Sequence, residues 1–359
     1  MIKLIKPYIS FDEVSAELEA IFDSGILTKG PYSKLFPKKV EAYTGAKYAF
    51  NATSATTALT MALKVLEVGP GDEVVVSDFS FPASVNVIED VGATPVFADV
   101  SLETYNMTLD ELASKITERT KAVIFVDALG NPSGLDRIAG LCRDKGIVLI
   151  EDAACAIGSA VGGRKVGSIA DITCFSLHPR KLLTCGEGGI IATDHDAYAE
   201  ILSYKLNHGA DASGDFVSYG YNYRLPEIPA LMGCSQIDKI DDIVKERRAQ
   251  ASEYARLLEP LGFTAQKAAE NAYHNMQSIV FTVPEGIDRD DLCRYLAGRE
   301  IESTIGTYCL SECAYYRAKY DSVQPNASYL QHHTITLPCY TDVPVGEVCA
   351  AIADYMASR

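Results

Sequence analysis

Short apolar runs separated by helical segments constrain the fold of this 359-residue chain more than any other feature. Six runs are rich in β-branched residues and too short to be helices: 73–77, 94–100, 121–127, 146–152, 172–176 and 188–194. Their nearly unbroken apolar character is typical of strands buried on both faces. Helical segments separate the early runs, which predicts a mostly parallel sheet with helices on both faces. The sequence therefore predicts an α/β fold.

Two capping boxes predict where early helices begin. Ser10 and Glu13 have this spacing before an amphipathic segment that Gly25 would end. Thr108 and Glu111 have the same spacing before a second helical segment.

The pattern changes from about residue 226 onward. One long helix is predicted over about 226–258, and the later elements are a strand at 277–283, a helix at 289–298 and a helix near 345–357. We expect residues 1–240 to form a large domain and residues 241–359 a smaller α+β domain.

The charge balance excludes some classes of partner. The chain carries 48 Asp and Glu against 32 Lys and Arg, a formal charge of −16. This acidity argues against binding to a nucleic acid polymer or an anionic membrane surface. No apolar run reaches the roughly 18 residues of a membrane span, and Pro7 interrupts any signal-peptide core. We therefore expect a cytoplasmic protein that holds anionic ligands through local groups.

The ten cysteines are scattered and form no CxxC motif, which indicates reduced, mostly buried thiols. A zinc site could be drawn from Cys309, Cys313, His332, His333 and Cys339. Their spacing matches no common zinc template, so no metal is predicted.

Three segments place polar side chains where the chemistry of one cofactor needs them. Asp152 ends an apolar strand, Lys181 lies between apolar residues and a Gly-rich turn, and a Ser/Thr cluster at 53–57 opens an apolar helix. Taken singly, these could be a helix cap, a solvated lysine and an N-cap. Together they match pyridoxal phosphate (PLP), which needs a Schiff-base lysine, a carboxylate on its ring nitrogen and a phosphate site such as a helix N-terminus.

Four further blocks in the same order extend this pattern: GPGDEVVVSDFSFPAS, IEDAACAIGS, FSLHPRKLLTCGEGG and GYNYRLPEIPA. With the 53–59 segment, they make the chain resemble the DegT/DnrJ/EryC1/StrS sugar aminotransferases, which are fold-type I (aspartate aminotransferase-like) PLP enzymes. The resemblance covers about residues 7–245 and continues weakly to the C-terminus.

The resemblance implies roles for individual residues. Lys181 would hold the cofactor as an internal aldimine and later carry a proton, and Asp152 would pair with the pyridinium nitrogen. Phe81 would stack on the ring. The phosphate would be held by the N–H groups of Ala55 and Thr56 and the hydroxyl of Ser176.

The resemblance also implies an assembly. Asn222 would reach the phosphate of a neighbouring subunit, so the active unit would be a homodimer with shared sites. His178 and Arg224 are candidates for substrate or structural contacts, and Arg224 could equally brace its loop.

Four features depart from the family pattern. The family usually has Gly at Ala55, often has His at Asp127, and commonly has Gln or His at Cys155, near the cofactor's ring hydroxyl. Because a thiol is a poorer hydrogen-bonding group, we expect the Cys155 contact with the cofactor to be weaker than the family's usual contact. The usual His-containing loop after residue 304 is replaced by IGTYCLSECAYY, so substrate specificity transfers least.

The resemblance implies a PLP-dependent aminotransferase that moves an amino group from L-glutamate, or glutamine, to a nucleotide-linked keto-sugar. The reaction would be ping-pong, through the pyridoxamine form (PMP). A cyclitol aminotransferase or an amino-hydroxybenzoate synthase-like enzyme would also keep the lysine, and a non-catalytic binding protein is a third interpretation. A dehydratase of the same family is disfavoured, because those enzymes have histidine at the position of Lys181. A nicotinamide oxidoreductase is disfavoured because no GxGxxG motif follows an early strand.

Overall fold

The computed structural model describes residues 1–359. Its helices are α1 Ser15–Ser24, α2 Pro31–Thr44, α3 Ala55–Val65, α4 Ala83–Asp90, α5 Leu109–Lys115, α6 Leu135–Lys145, α7 Asp196–Lys205, α8 Glu227–Ile237, α9 Ile240–Leu258, α10 Arg289–Ala297, α11 Ala314–Tyr320, α12 Pro325–His333 and α13 Val345–Ala357. The strands of its main sheet are β1 Tyr48–Ala52, β2 Glu73–Ser77, β4 Thr94–Ala98, β5 Thr120–Val126, β6 Val148–Asp152, β9 Ile172–Ser176 and β10 Gly189–Thr193. The other strands are β3 Phe79–Ser80, β7 Ala160–Val161, β8 Arg164–Lys165, β11 Thr264–Ala265, β12 Ala272–Tyr273, β13 Ile279–Thr282, β14 Thr304–Ile305, β15 Tyr308–Cys309 and β16 Thr334–Leu337.

The main sheet has seven strands in the order β1-β10-β9-β6-β5-β2-β4. The pairs among β9, β6, β5, β2 and β4 are parallel, whereas β10 and β1 add antiparallel strands at one side. All six predicted strands are confirmed. β1 was missed because YAFNA contains no β-branched residue, and only two of its five residues are buried, as suits the edge strand that it forms.

Helices cover both faces of this sheet, as predicted. Along β2, Val75 packs in one core with α2, α6 and α8. Val74 and Val76 point to the opposite face and pack with α3 and α4. Because both faces are buried, every residue of β2 is buried and the strand reads as a continuous apolar run.

The two predicted capping boxes have different outcomes. The Thr108 hydroxyl accepts the Glu111 N–H at 3.2 Å and α5 begins at Leu109, so the predicted helix start is confirmed, but the Glu111 side chain makes no return bond to Thr108. Ser10 makes no side-chain capping bond, so the first box is wrong as a helix start. The Val14 N–H instead bonds the Phe11 carbonyl at 3.1 Å and closes a short 3-10 turn, and α1 begins at Ser15. Gly25 ends α1 in the left-handed conformation (φ 67°), as predicted.

The single helix predicted over 226–258 is wrong, because two helices, α8 and α9, occupy this range. The Lys239 N–H bonds the Gln236 carbonyl at 2.9 Å, an i to i−3 bond that tightens the last turn of α8. The chain then restarts as α9 at Ile240.

The C-terminal portion is α+β. A four-stranded antiparallel sheet, β11-β13-β16-β14, packs against α9, α10 and α13 around its own apolar core. The strand predicted at 277–283 and the helices predicted at 289–298 and 345–357 are present as β13, α10 and α13. The domain boundary at residue 240 stays a prediction. No helix is both long and apolar enough to cross a membrane.

Candidate active site

A cavity of about 550 Å³ opens beside the carboxyl ends of β5, β6 and β9 and is closed on its other side by C-terminal residues. This edge is where open α/β sheets bind their ligands. Eight of the ten predicted site residues line the cavity: Ala55, Thr56, Phe81, Asp152, Cys155, Ser176, His178 and Lys181. Asn222 and Arg224 do not line it.

Lys181 lies on the loop between β9 and β10. Its backbone N–H bonds the His178 carbonyl at 2.8 Å, which forms a turn at the lysine. Its Nζ lies 3.0 Å from the Sγ of Cys155. The amine therefore reaches into the cavity beside a thiol, where it can act as a nucleophile.

Asp152 ends β6 and is buried at 5% exposure. The Ser84 hydroxyl donates to Oδ2 at 2.6 Å and the Ala154 N–H donates to Oδ1 at 3.2 Å. Burial raises the pKa of Asp152 above its usual value, and these two donors and the charge of Lys181 offset that rise only in part. These partners favour the ionised carboxylate, which is the form that pairs with a cationic ring nitrogen.

The N-terminus of α3 faces the same cavity. Ser54 caps it: the Ser54 hydroxyl accepts the Thr57 N–H at 3.1 Å, and the Ser54 carbonyl accepts the first helical bond, from Ala58. The N–H groups of Ala55 and Thr56 precede that bond and have no acceptor in the helix. They form an anion site of the kind that helix N-termini offer to phosphate.

Phe81 is an apolar side chain left exposed, at 64%, on the cavity wall. Its ring meets Tyr308 edge to face with centroids 6.2 Å apart. One face of Phe81 is therefore available to a planar ligand.

The three remaining candidates lie in different places. His178 lines the cavity, and burial lowers the pKa of its imidazole. Arg224 donates from Nη1 to Asn207 Oδ1 at 2.9 Å, which matches its interpretation as a loop brace. Asn222 is exposed, and its backbone forms a bridge with Asn207.

The five residues weighed as a zinc site do not form a metal-binding cluster. The Cys309 thiol donates to Asp78 Oδ2 at 3.1 Å, and His332 pairs with Glu312 at 3.0 Å. All ten cysteines are free thiols.

Comparison with known proteins identifies the family. The sequence profile of the DegT/DnrJ/EryC1/StrS aminotransferase family matches residues 10–353, nearly the whole chain. The chain belongs to this family. It is a PLP-dependent aminotransferase, as the resemblance implied.

Individual members are similar over their full lengths. The aminotransferase is 31% identical to the GDP-perosamine synthase of Vibrio cholerae over 365 residues, which cover 99% of each chain. The PMP-form structure of the putative sugar aminotransferase Spr1654 from Streptococcus pneumoniae has a TM-score of 0.92 and 29% identity, with 100% of both chains covered. Helicobacter pylori PseC, an aminotransferase involved in the biosynthesis of pseudoaminic acid, has a TM-score of 0.93 and 26% identity, also with 100% of both chains covered.

The donor set of the aminotransferase fits its cofactor. A lysine amine, a buried carboxyl group that accepts two hydrogen bonds, free N–H groups at a helix N-terminus and an exposed aromatic face all border one cavity. These are the groups that recognise the aldehyde, ring nitrogen, phosphate and ring face of PLP.

Sequence analysis missed two supporting residues of the aminotransferase: Gln277, which lines the cavity, and Ser84, which is buried behind it. Ser84 bonds Asp152, and the Gln277 side chain bonds the backbone of Arg180 and Leu182. Ser84 and Gln277 are both far in sequence from the residues that they bond, so no motif or residue spacing identifies them as site residues.

A third feature, also missed, is a buried acid pair. Asp127 and Glu151 are buried close to each other, and no N–H or hydroxyl group donates to either Asp127 oxygen. Burial and mutual repulsion raise the pKa of Asp127, and burial raises that of Glu151 to about 7. The pair therefore retains a proton at neutral pH, which limits the negative charge beside Asp152.

Proposed function

We propose that this aminotransferase transfers an amino group from L-glutamate to a keto-sugar linked to a nucleotide. The observation that carries the proposal is the convergence of Lys181, Asp152 and the α3 N-terminus on one cavity. The names of the relatives support a sugar acceptor, since they include a GDP-perosamine synthase and an enzyme of pseudoaminic acid biosynthesis.

In the proposed reaction Lys181 and Asp152 are the catalytic residues. Lys181 would hold the cofactor through its amine, and the free amine would move a proton at the reacting carbon. The Ser84 hydroxyl stabilises the ionised form of Asp152, and that carboxylate would favour a protonated ring nitrogen. When bound, PLP supplies the electron sink for the substrate carbanion.

The other cavity residues bind and orient. The N–H groups of Ala55 and Thr56 and the hydroxyl of Ser176 hold the phosphate, and Phe81 covers one ring face. Cys155 lies on the Lys181 side of the cavity, where its thiol contacts the amine. His178 is a candidate for substrate contact at the cavity wall.

We also propose a homodimer in which Asn222 completes the neighbouring site. Its position supports this: Asn222 is exposed and lies outside the cavity of its own chain. The preceding loop exposes Phe216, Val217 and Tyr219 at 75%, 55% and 69%. Such side chains gain from burial against a second subunit.

An absorbance spectrum before and after adding L-glutamate tests the proposed donor reaction. A visible Schiff-base band should fall while a near-ultraviolet PMP band rises, and a nucleotide-linked keto-sugar should then reverse the change. Recovery with such a sugar but not with a free cyclitol supports the acceptor class. If the band responds to glutamine but not to glutamate, the amino donor is glutamine instead. Failure to bind PLP would overturn the proposal.

A further inference from the structure

Gln277 bridges the two peptide groups on either side of the Lys181 residue. Its Oε1 accepts the Leu182 N–H at 2.7 Å, and its Nε2 donates to the Arg180 carbonyl at 2.7 Å. Gln277 lies just before β13 and is only 5% exposed, so these bonds are shielded from water. One side chain from the C-terminal portion thus hydrogen-bonds the backbone immediately before and immediately after Lys181.

Gln277 is itself held firmly. Its N–H donates to Asn275 Oδ1 at 2.8 Å, and its carbonyl accepts from Nη1 of the buried Arg247 of α9 at 2.7 Å. Met276 between them has a φ of 55°, which makes the tight turn. All four polar groups of Gln277 therefore have partners.

The same turn also holds the thiol that meets the lysine. The Asn275 Nδ2 group donates to the carbonyls of Cys155 at 2.9 Å and Ile157 at 2.7 Å. Asn275 and Gln277 thus fix the two loops whose side chains, Cys155 and Lys181, approach to 3.0 Å.

We propose that Gln277 is a positioning residue for Lys181. By holding the Arg180 carbonyl and the Leu182 N–H, Gln277 restricts the Lys181 amine to one position in the cavity. Because a displacement of about 1 Å can cost about 10²-fold in rate, loosening this loop should slow proton transfer more than it weakens substrate binding. The proposal needs the family's PLP chemistry but not the identity of the sugar.

A matched pair of variants tests the proposal in the PLP-loaded enzyme. Gln277→Met keeps side-chain length but removes both bonds to the lysine loop. Gln266→Met is the control: the Gln266 amide also donates two bonds, to the carbonyls of Thr104 at 2.8 Å and Ala128 at 3.1 Å, but holds no residue of that loop.

Two readouts separate positioning from general stability. In rapid-mixing experiments with L-glutamate, Gln277→Met should lower the maximal rate of Schiff-base loss by about 10²-fold and change the half-saturating concentration by less than about threefold. Hydrogen exchange followed by mass spectrometry should become at least about tenfold faster across residues 177–185, because the Leu182 N–H loses its acceptor. Gln266→Met should do neither.

The proposal is overturned if Gln277→Met leaves both the rate and the exchange of residues 177–185 unchanged, or if Gln266→Met changes both equally. If Gln277→Met does not fold, Gln277→Glu decides, since it keeps the acceptor for Leu182 but replaces the donor to Arg180 with an oxygen that repels the Arg180 carbonyl. It should show slowing of the same kind, and wild-type behaviour would refute the positioning role. The exchange readout needs no substrate, so it remains decisive if glutamate is not the donor.

Discussion

Ser84 gives the Asp152 carboxylate its one hydroxyl donor, at 2.6 Å within a fully buried contact. Ser84→Ala would leave the burial of Asp152 in place and remove this opposing bond, so the pKa of Asp152 should rise further. Because a hydrogen bond to a charged group contributes about 1.5–3 kcal/mol, we expect PLP affinity to fall by about 10–100-fold.

Titration of the cofactor-free variant with PLP measures this loss. Ser203→Ala, which removes an exposed helical hydroxyl bonded to the Glu200 carbonyl, is the control. Unchanged PLP affinity in Ser84→Ala would contradict the proposed support of Asp152.

The Asp127–Glu151 pair predicts a pH dependence of stability. The folded protein keeps a proton that the unfolded chain releases, since the pKa of Glu151 rises from 4.5 to about 7 on burial. Stability should therefore fall as pH rises through this window, by up to about 1.4 kcal/mol per pH unit for one proton. Asp127→Asn places a neutral donor beside Glu151 and should flatten this fall.

Denaturant unfolding at pH 5, 6, 7 and 8 checks the slope. Asp12→Asn, which neutralises an exposed acid, corrects for the general effect of reducing the charge of −16. Equal slopes in Asp127→Asn and wild type would mean that the pair retains no proton.

At the level of elements, β10 and the start of α3 are in close backbone contact. A Cβ at Gly189 would overlap the Ser54 carbonyl group and lie 2.8 Å from the Ala55 nitrogen. Gly189→Ala should therefore displace the α3 N-terminus, whose N–H groups we propose to bind the phosphate, and lower PLP affinity at least about tenfold.

Gly140→Ala in α6 is the matched control, because nothing lies within 4 Å of the added methyl. It should leave PLP affinity unchanged and stabilise the helix by about 0.5–1 kcal/mol. Spectral titration measures the PLP affinity of both variants, and thermal unfolding measures their stability. Normal PLP affinity in Gly189→Ala would show that PLP binding does not require the tight packing of β10 against α3.

At the level of the whole molecule, the proposed dimer predicts complementation between two defective subunits. Lys181→Ala should lack turnover because it has no amine, and Asn222→Ala should be impaired because the neighbouring site loses a contact. Random mixing places an intact Lys181 and an intact Asn222 in one of the two sites of a heterodimer. About a quarter of wild-type activity should return.

The assay is turnover after confirmed subunit exchange, with each variant mixed with itself as the baseline. Activity at the baseline, despite exchange, would argue that each site is built within one chain.

Sequence analysis predicted the parts of the fold that depend on local pattern. The six buried strands, the Thr108 cap and the Gly25 stop each depend on neighbouring residues, and the structure contains them. It failed where a longer-range contact or a turn overrides the pattern. The strand at β1 is set by pairing with β10, and the 3-10 turn after Ser10 delays α1.

For the site, the sequence by itself determined which residues we propose to react. Lys181, Asp152 and the 53–57 cluster are recognisable because the cofactor demands fixed residue types in a fixed order on this scaffold. Only the tertiary structure decided which side chains support them. Ser84, Gln277 and the Asp127–Glu151 pair act across chain separations from 24 to 97 residues. Packing and hydrogen bonding between distant segments bring them together, and a linear sequence carries no periodicity or spacing that marks such contacts.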